Sequence, residues 1–132
     1  ISKYKDIKII KRTANYLRKD AILQTEKLIL EDVKFDAIFS QSDSMLSGFR
    51  AAYEKNNLDA SKILSVGCDY TSEAKEAIKK GTQTASILFP LGGKKSIEVA
   101  LDILAKKNIQ KHIVIPVELV TKENVEIVNP IF

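Results

Sequence analysis

The chain has 132 residues, 45% of them apolar and 29% charged, a composition that suits one globular domain over residues 1–132 with a continuous core. Its 21 basic and 17 acidic residues leave a net charge of only +4, with the lysines scattered rather than gathered on one face, which argues against a nucleic-acid surface. No run of about 18 apolar residues could span a bilayer. One cysteine and one histidine exclude an internal disulfide and give too few ligands for a zinc site.

Taken in chain order, Ile7-Lys8-Ile9-Ile10 reads as a first strand, followed by the polar stretch Lys11 to Arg18. Asp20 is the expected N-cap of a helix with a wide apolar face (Ile22, Leu23, Leu28, Ile29, Leu30) that closes at Glu31-Asp32. Residues 35–40 and 62–67 are short apolar runs bounded by polar turns, the signature of buried strands. Between them Met45, Leu46, Phe49, Ala52 and Tyr53 recur at helical spacing, so that helix packs on the sheet through one stripe. Ser42 or Asp43 opens it; Asp43 is the expected cap, with Ser42 facing the crevice.

Ser72 is expected to cap a short helix that Gly81 ends, after the cations Lys79 and Lys80 at the negative end of the dipole. Thr84 to Phe89 reads as a further strand, halted by Pro90. The longest helix then follows Gly92-Gly93, with the stripe Ile97, Ala100, Leu101 and Leu104, and ends near Asn108. Two β segments, His112 to Val120 and Val125 to Val128, close the chain. Four βα units in succession predict an α/β fold, a three-layer sandwich around a mainly parallel sheet with right-handed crossovers.

Few residues are equipped for covalent chemistry. Gly92-Gly93-Lys94-Lys95 precedes a helix but lacks the spacing of a phosphate loop. His112 has no partner carboxylate in view, and neither Cys68 nor Ser47 lies in a nucleophile elbow or beside a foreseeable base. The expectation is therefore no enzyme, no catalytic residue, no cofactor and no metal. Binding is a different matter, because in parallel sheets ligands sit beyond the carboxyl ends of the strands. Asp69 ends an apolar strand just before Thr71-Ser72, where it serves either as a local cap or as an acceptor for ligand hydroxyls. Tyr16 and Phe89 also follow strand ends, as core residues or as ligand platforms. Tyr16, Ser42, Asp69 and Phe89 thus fall at four consecutive strand ends.

These stretches resemble the carboxyl-terminal half of the type I periplasmic sugar-binding proteins, the ribose-binding and lactose-repressor-like superfamily. The segment from Phe35 to Asp43 and on to Gly48 is similar to that family's A-I-F-A-x-N-D-x-x-A-x-G signature, Val66-Gly67-Cys68-Asp69 to its V-G-F-D, and Pro116 to Val125 to its closing segment. The resemblance implies a non-enzymatic binder that closes two lobes on a sugar or sugar-like molecule, in the periplasm or outside the cell, for a membrane transporter or a sensor. Carried over by position, Asp69 accepts from sugar hydroxyls, Tyr16 is a pocket ring, Ser42 stands where many sugar binders have asparagine, and Phe89 lies near a hinge position. The runner-up within the superfamily is the effector domain of a lactose-repressor-type regulator, whose DNA-binding helix-turn-helix is absent from this chain. The resemblance also places the amino-terminal lobe outside the chain and has residues 90–120 cross toward it. The apolar stripe of the last helix then needs cover, either from its own sheet or from a second copy in an exchanged homodimer, and the dimer is favoured because these segments are built to leave their own lobe.

Overall fold

Three strands lie side by side in sequence order, all pointing the same way, and a fourth returns along the far edge. In the computed structural model, which describes residues 4–132, the elements are α1 (Arg18–Leu30), β1 (Ala37–Phe39), α2 (Asp43–Lys55), β2 (Leu64–Asp69), α3 (Ser72–Lys80), β3 (Ala85–Leu88), α4 (Gly93–Leu104) and β4 (Glu118–Thr121). The sheet order is β1-β2-β3-β4; β1, β2 and β3 are parallel and β4 runs antiparallel to β3. The α/β class and the mainly parallel sheet are therefore as the sequence predicts.

Two right-handed crossovers stepping in the same direction put their helices on one face of the sheet. That face carries Ser65, Gly67, Ser86 and Val120, all buried, with Gly67↔Ser86 and Ser86↔Val120 in register. On it Tyr70, Ile78 of α3, Val120 and Val125 form the apolar core, with Leu88 and Val128 against them. α2 contributes Leu46, Phe49 and Ala52, each at most 1% exposed, and Phe49 stacks at 4.3 Å between ring centres on Tyr53. α1 lies against α2, close enough that a Cβ on Gly48 would come within 2.6 Å of the Arg18 carbonyl oxygen. The opposite face bears Phe39, Leu64 and Leu119, all exposed, so this chain supplies helices to one side of the sheet.

Several elements differ from expectation, and each for a local reason. Residues 7–10 form no strand: among the described residues no neighbouring strand lies alongside, and Ile7 and Ile9 are exposed. α1 begins three residues earlier than predicted, with Leu17 at the N-cap and Asp20 inside the first turn, where its charge suits the helix dipole. Thr71, not Ser72, caps α3, its hydroxyl accepting from the Ala74 amide at 3.2 Å, while Gly81 ends the helix with φ 78° as anticipated. Residues 112–117 stay outside the sheet, and 125–128 form turns rather than a strand, Val125 being buried beneath them.

β4 reverses direction, and the helix before it is unpacked. A parallel return needs a helix packed on the sheet, but α4 buries no residue, and Leu101 and Leu104 are 61% and 79% exposed. The link from β3 to β4 is thus no crossover unit. The helix has not folded back on its own sheet.

Candidate functional site

The carboxyl ends of β1, β2 and β3 lie at one edge of the sheet, because parallel pairing aligns them (Phe39↔Val66, Asp69↔Leu88). Three of the four predicted residues, Ser42, Asp69 and Phe89, stand there. Ser42 follows β1 and is buried. Its hydroxyl accepts from the Met45 amide at 3.2 Å, so Ser42, rather than Asp43, is the N-cap of α2. The sequence suggested the reverse cap, since either residue type caps well and only the backbone turn decides between them; Asp43 is buried instead. Ser40 supports the turn, donating from its hydroxyl to the Ser42 carbonyl at 2.7 Å.

Asp69 is the last residue of β2 and is half-buried. Its backbone has φ 97° and that of Tyr70 has φ 59°, so the chain leaves the strand through two left-handed residues before Thr71 caps α3. Among the described residues its carboxylate makes no hydrogen bond. Burial, and then the charge of Asp43, push the Asp69 carboxyl above its ordinary range. It is a poorly satisfied acceptor at the mouth of the crevice, ready for an outside donor. Phe89 directly follows β3 with an exposed ring. Tyr16 lies on the turn before α1 with φ 58° and is also exposed. An Arg18–Glu73 ion pair ties the start of α1 to the first turn of α3, which brings Tyr16 to the same end of the molecule. No hydrogen bond joins these four side chains to one another among the described residues.

Beneath this rim lies a buried polar cluster that sequence reasoning did not anticipate. Asp43 is 1% exposed, and its carboxylate receives four hydrogen bonds: the Tyr70 amide at 2.8 Å, the Thr71 amide at 3.4 Å and the Ser86 hydroxyl at 2.6 Å on Oδ2, and Gln83 Nε2 at 2.8 Å on Oδ1. Gln83 Oε1 in turn accepts from Arg50, whose guanidinium also faces Glu73 at 3.5 Å. Burial lowers the Arg50 pKa, opposed by the charges of Glu73 and then Asp43. Every buried side-chain polar atom among the described residues has a partner. The one signal in the sequence was Gly67, because a Cβ there would stand 1.9 Å from Asp43 Oδ1; a glycine in the middle of a strand marks such an approach.

The other residues weighed for chemistry stay apart from this edge. Ser47 donates to its own helix, to the Ser44 carbonyl at 2.9 Å. Cys68 is half-buried, its thiol pushed up by burial and by Asp69 and Asp43, the direction that disfavours a nucleophilic thiolate. His112 lies exposed in the irregular stretch before β4. Among the described residues no three His, Cys, Asp or Glu side chains converge as a metal site would require, and no helix is long and apolar enough to cross a membrane.

Comparison with known proteins agrees with this geometry. Residues 1–108 match the family described as periplasmic binding protein domain, which is most of the chain. The chain belongs to the periplasmic binding protein family. It is 31% identical over 117 residues to the ribose import binding protein of Bacillus subtilis (strain 168), a match that takes in 87% of this chain and 37% of that protein. Among solved structures it resembles the fructose-binding periplasmic domain of a hybrid two-component system, with a TM-score of 0.86 and 26% identity over 96% of this chain and 43% of the other. A periplasmic solute-binding protein of an ABC transporter from Actinobacillus succinogenes, bound to D-allose, gives a TM-score of 0.83 at 29% identity, covering 95% and 45%. The chain thus spans about two fifths of the length of the curated relatives that it matches.

Proposed function

We propose that this chain is one lobe of a two-lobed protein that binds a sugar or sugar-like polyol in the periplasm or outside the cell and presents it to a membrane transporter or a sensor. The observation that carries this reading is Asp69: a half-buried carboxylate at the carboxyl edge of a parallel sheet, without a hydrogen-bond partner among the described residues. Hydroxyl donors of a polyol would satisfy it, and closure of a second lobe would remove the remaining water. Phe89 and Tyr16 offer exposed rings at the same end for the apolar faces of a sugar ring. The ligands for which the matched proteins are named or with which they are bound, ribose, fructose and allose, are of this class. Ser42 contributes less than its position suggests, because its hydroxyl is engaged in capping α2.

The same reading assigns residues 90–120 to the crossing between lobes, and the exposed stripe of α4 supports it: Ile97, Leu101 and Leu104 would be covered by the second lobe. In isolation this segment would pair with a second copy, and light scattering after size exclusion would then give a mass that rises with concentration. A monomer at all concentrations would reject the exchange. Binding without turnover is expected, since no nucleophile and base converge at the site among the described residues. Calorimetric titration of the two-lobed protein with D-ribose, D-allose, D-fructose and myo-inositol tests the function. Binding of at least one of them is expected, and Asp69→Ala should weaken it by about 1.5 to 3 kcal/mol, the range for hydrogen bonds to a charged group. Unchanged affinity in Asp69→Ala would remove Asp69 from the site.

A further inference from the structure

Asp43 is too deep to meet a ligand, yet its bonds lead directly to the residue that would. A carboxylate 1% exposed is tolerated only when its lone pairs are filled, and here they are filled by groups from three separate elements. Two of its donors are the successive amides of Tyr70 and Thr71, at 2.8 and 3.4 Å on Oδ2. These amides belong to the turn in which Asp69 and Tyr70 both adopt positive φ, a conformation that side-chain-bearing residues hold only when their surroundings enforce it. Ser86 locks the arrangement, donating to Oδ2 at 2.6 Å while accepting from the Tyr70 amide at 3.1 Å. Gln83 fixes the other oxygen at 2.8 Å and links it through Arg50 to Glu73, in the first turn of α3. Helix capping does not explain Asp43, because Ser42 already caps α2.

We propose that Asp43 is a positioning residue for ligand binding: by holding the Tyr70 and Thr71 amides it fixes the left-handed turn that aims the Asp69 carboxylate at the crevice. The inference rests on the binding role proposed for Asp69, and it explains why residues 67–71 require a buried acid beneath them. The Asp43 charge also adds to burial in raising the Asp69 carboxyl. A hydroxyl donor arriving from solution relieves that condition; a second carboxylate in the ligand would worsen it.

Asp43→Asn tests this with little change of shape. Its amide would set Nδ2 against the Gln83 Nε2 donor, whereas Asp43→Asn with Gln83→Glu returns an acceptor to that contact and to Arg50, although it sets an oxygen against the Ala85 carbonyl that Gln83 Nε2 now reaches at 3.0 Å. In this 132-residue chain, with folding checked by the amide spectrum of α2 and α3, Asp43→Asn should speed hydrogen exchange at Tyr70 and Thr71 at least about tenfold, the loss expected for a charge-assisted bond. The Asp69 carboxyl, followed by carbon NMR, should titrate lower than in the parent. In the two-lobed protein, affinity for D-ribose, D-allose or myo-inositol should fall about tenfold, and the paired variant should recover part of both protection and affinity. Turn amides that stay protected in folded Asp43→Asn, or an opened turn with undiminished affinity, would overturn the proposal. If Asp69→Ala binds these polyols as well as the parent, the binding role itself fails, while exchange at Tyr70 and Thr71 still decides whether Asp43 holds the turn.

Discussion

Residues 40–88 and residues 90–117 follow one another in a single chain and could hardly be more differently held. In the first stretch apolar side chains such as Leu46, Phe49 and Ile78 are sealed, and one buried carboxylate gathers donors from α2's neighbours on both β2 and β3. In the second, a full three-turn helix with an apolar stripe buries nothing, and the residues after it run outside the sheet. Both have sound local sequence signals. What separates them is whether a partner surface lies within the same chain, so amphipathic periodicity reports the need for a contact and not its provider.

The contrast can be broken by experiment, beginning with the largest expected effect. Phe49→Ala, deep in the held region, should cost about 3 to 5 kcal/mol in urea denaturation, as full truncations of buried aromatics do. Gly67→Ala should cost about 1 to 3 kcal/mol, because its Cβ would fall 1.9 Å from Asp43 Oδ1 and force the carboxylate off its donors. Removing the cap of α2 with Ser42→Ala should cost about 1 kcal/mol. By comparison Leu101→Ala, an equally apolar truncation in α4, should change the stability of this chain by less than about 0.5 kcal/mol. A large loss there would mean that α4 is covered after all, and the two regions would no longer be distinct.

The smallest expected effect sharpens the comparison within the held region. The Asp69 carboxyl is raised in the folded chain by burial and by Asp43, so the folded state binds its proton more tightly than the unfolded state does. Its contribution is favourable at acid pH and is lost as pH rises through the raised value. Asp69→Asn should therefore give a small gain in Tm at pH 7 that disappears below about pH 4, the ordinary carboxylate range. An equal gain at both pH values would assign the effect to something other than charge.

Much of this architecture was legible from residue pattern: the bodies of α2, α3 and α4, the stop at Gly81, and the carboxyl edge on which Ser42, Asp69 and Phe89 stand. The errors cluster where the deciding partner is remote in sequence. Ile7-Lys8-Ile9-Ile10 has strand composition, but a strand exists only beside another, and none among the described residues reaches it. The segment from His112 to Val120 has strand composition, yet it pairs only from Glu118 and runs antiparallel to β3, which no local pattern encodes. Ser42 and Asp43 are adjacent and chemically alike as caps, so a one-residue difference in register decided which became the cap and which the buried acceptor. Only Gly67, bare in the middle of a strand, pointed to the cluster below the site.

The spacing of that cluster along the chain bears on how the molecule forms. Gln83 and Ser86 lie 40 and 43 residues after Asp43, so during synthesis the carboxylate leaves the ribosome well before these two of its hydrogen-bond donors. Until β3 docks, Asp43 must keep its water, and α2 cannot settle fully on the sheet with an unpaired charge beneath it. The last strand of the parallel set thus acts as a checkpoint. Seating of α2, closure of the turn after β2 and arrival of β3 are completed together, and a chain interrupted before Ser86 would keep its crevice edge unformed.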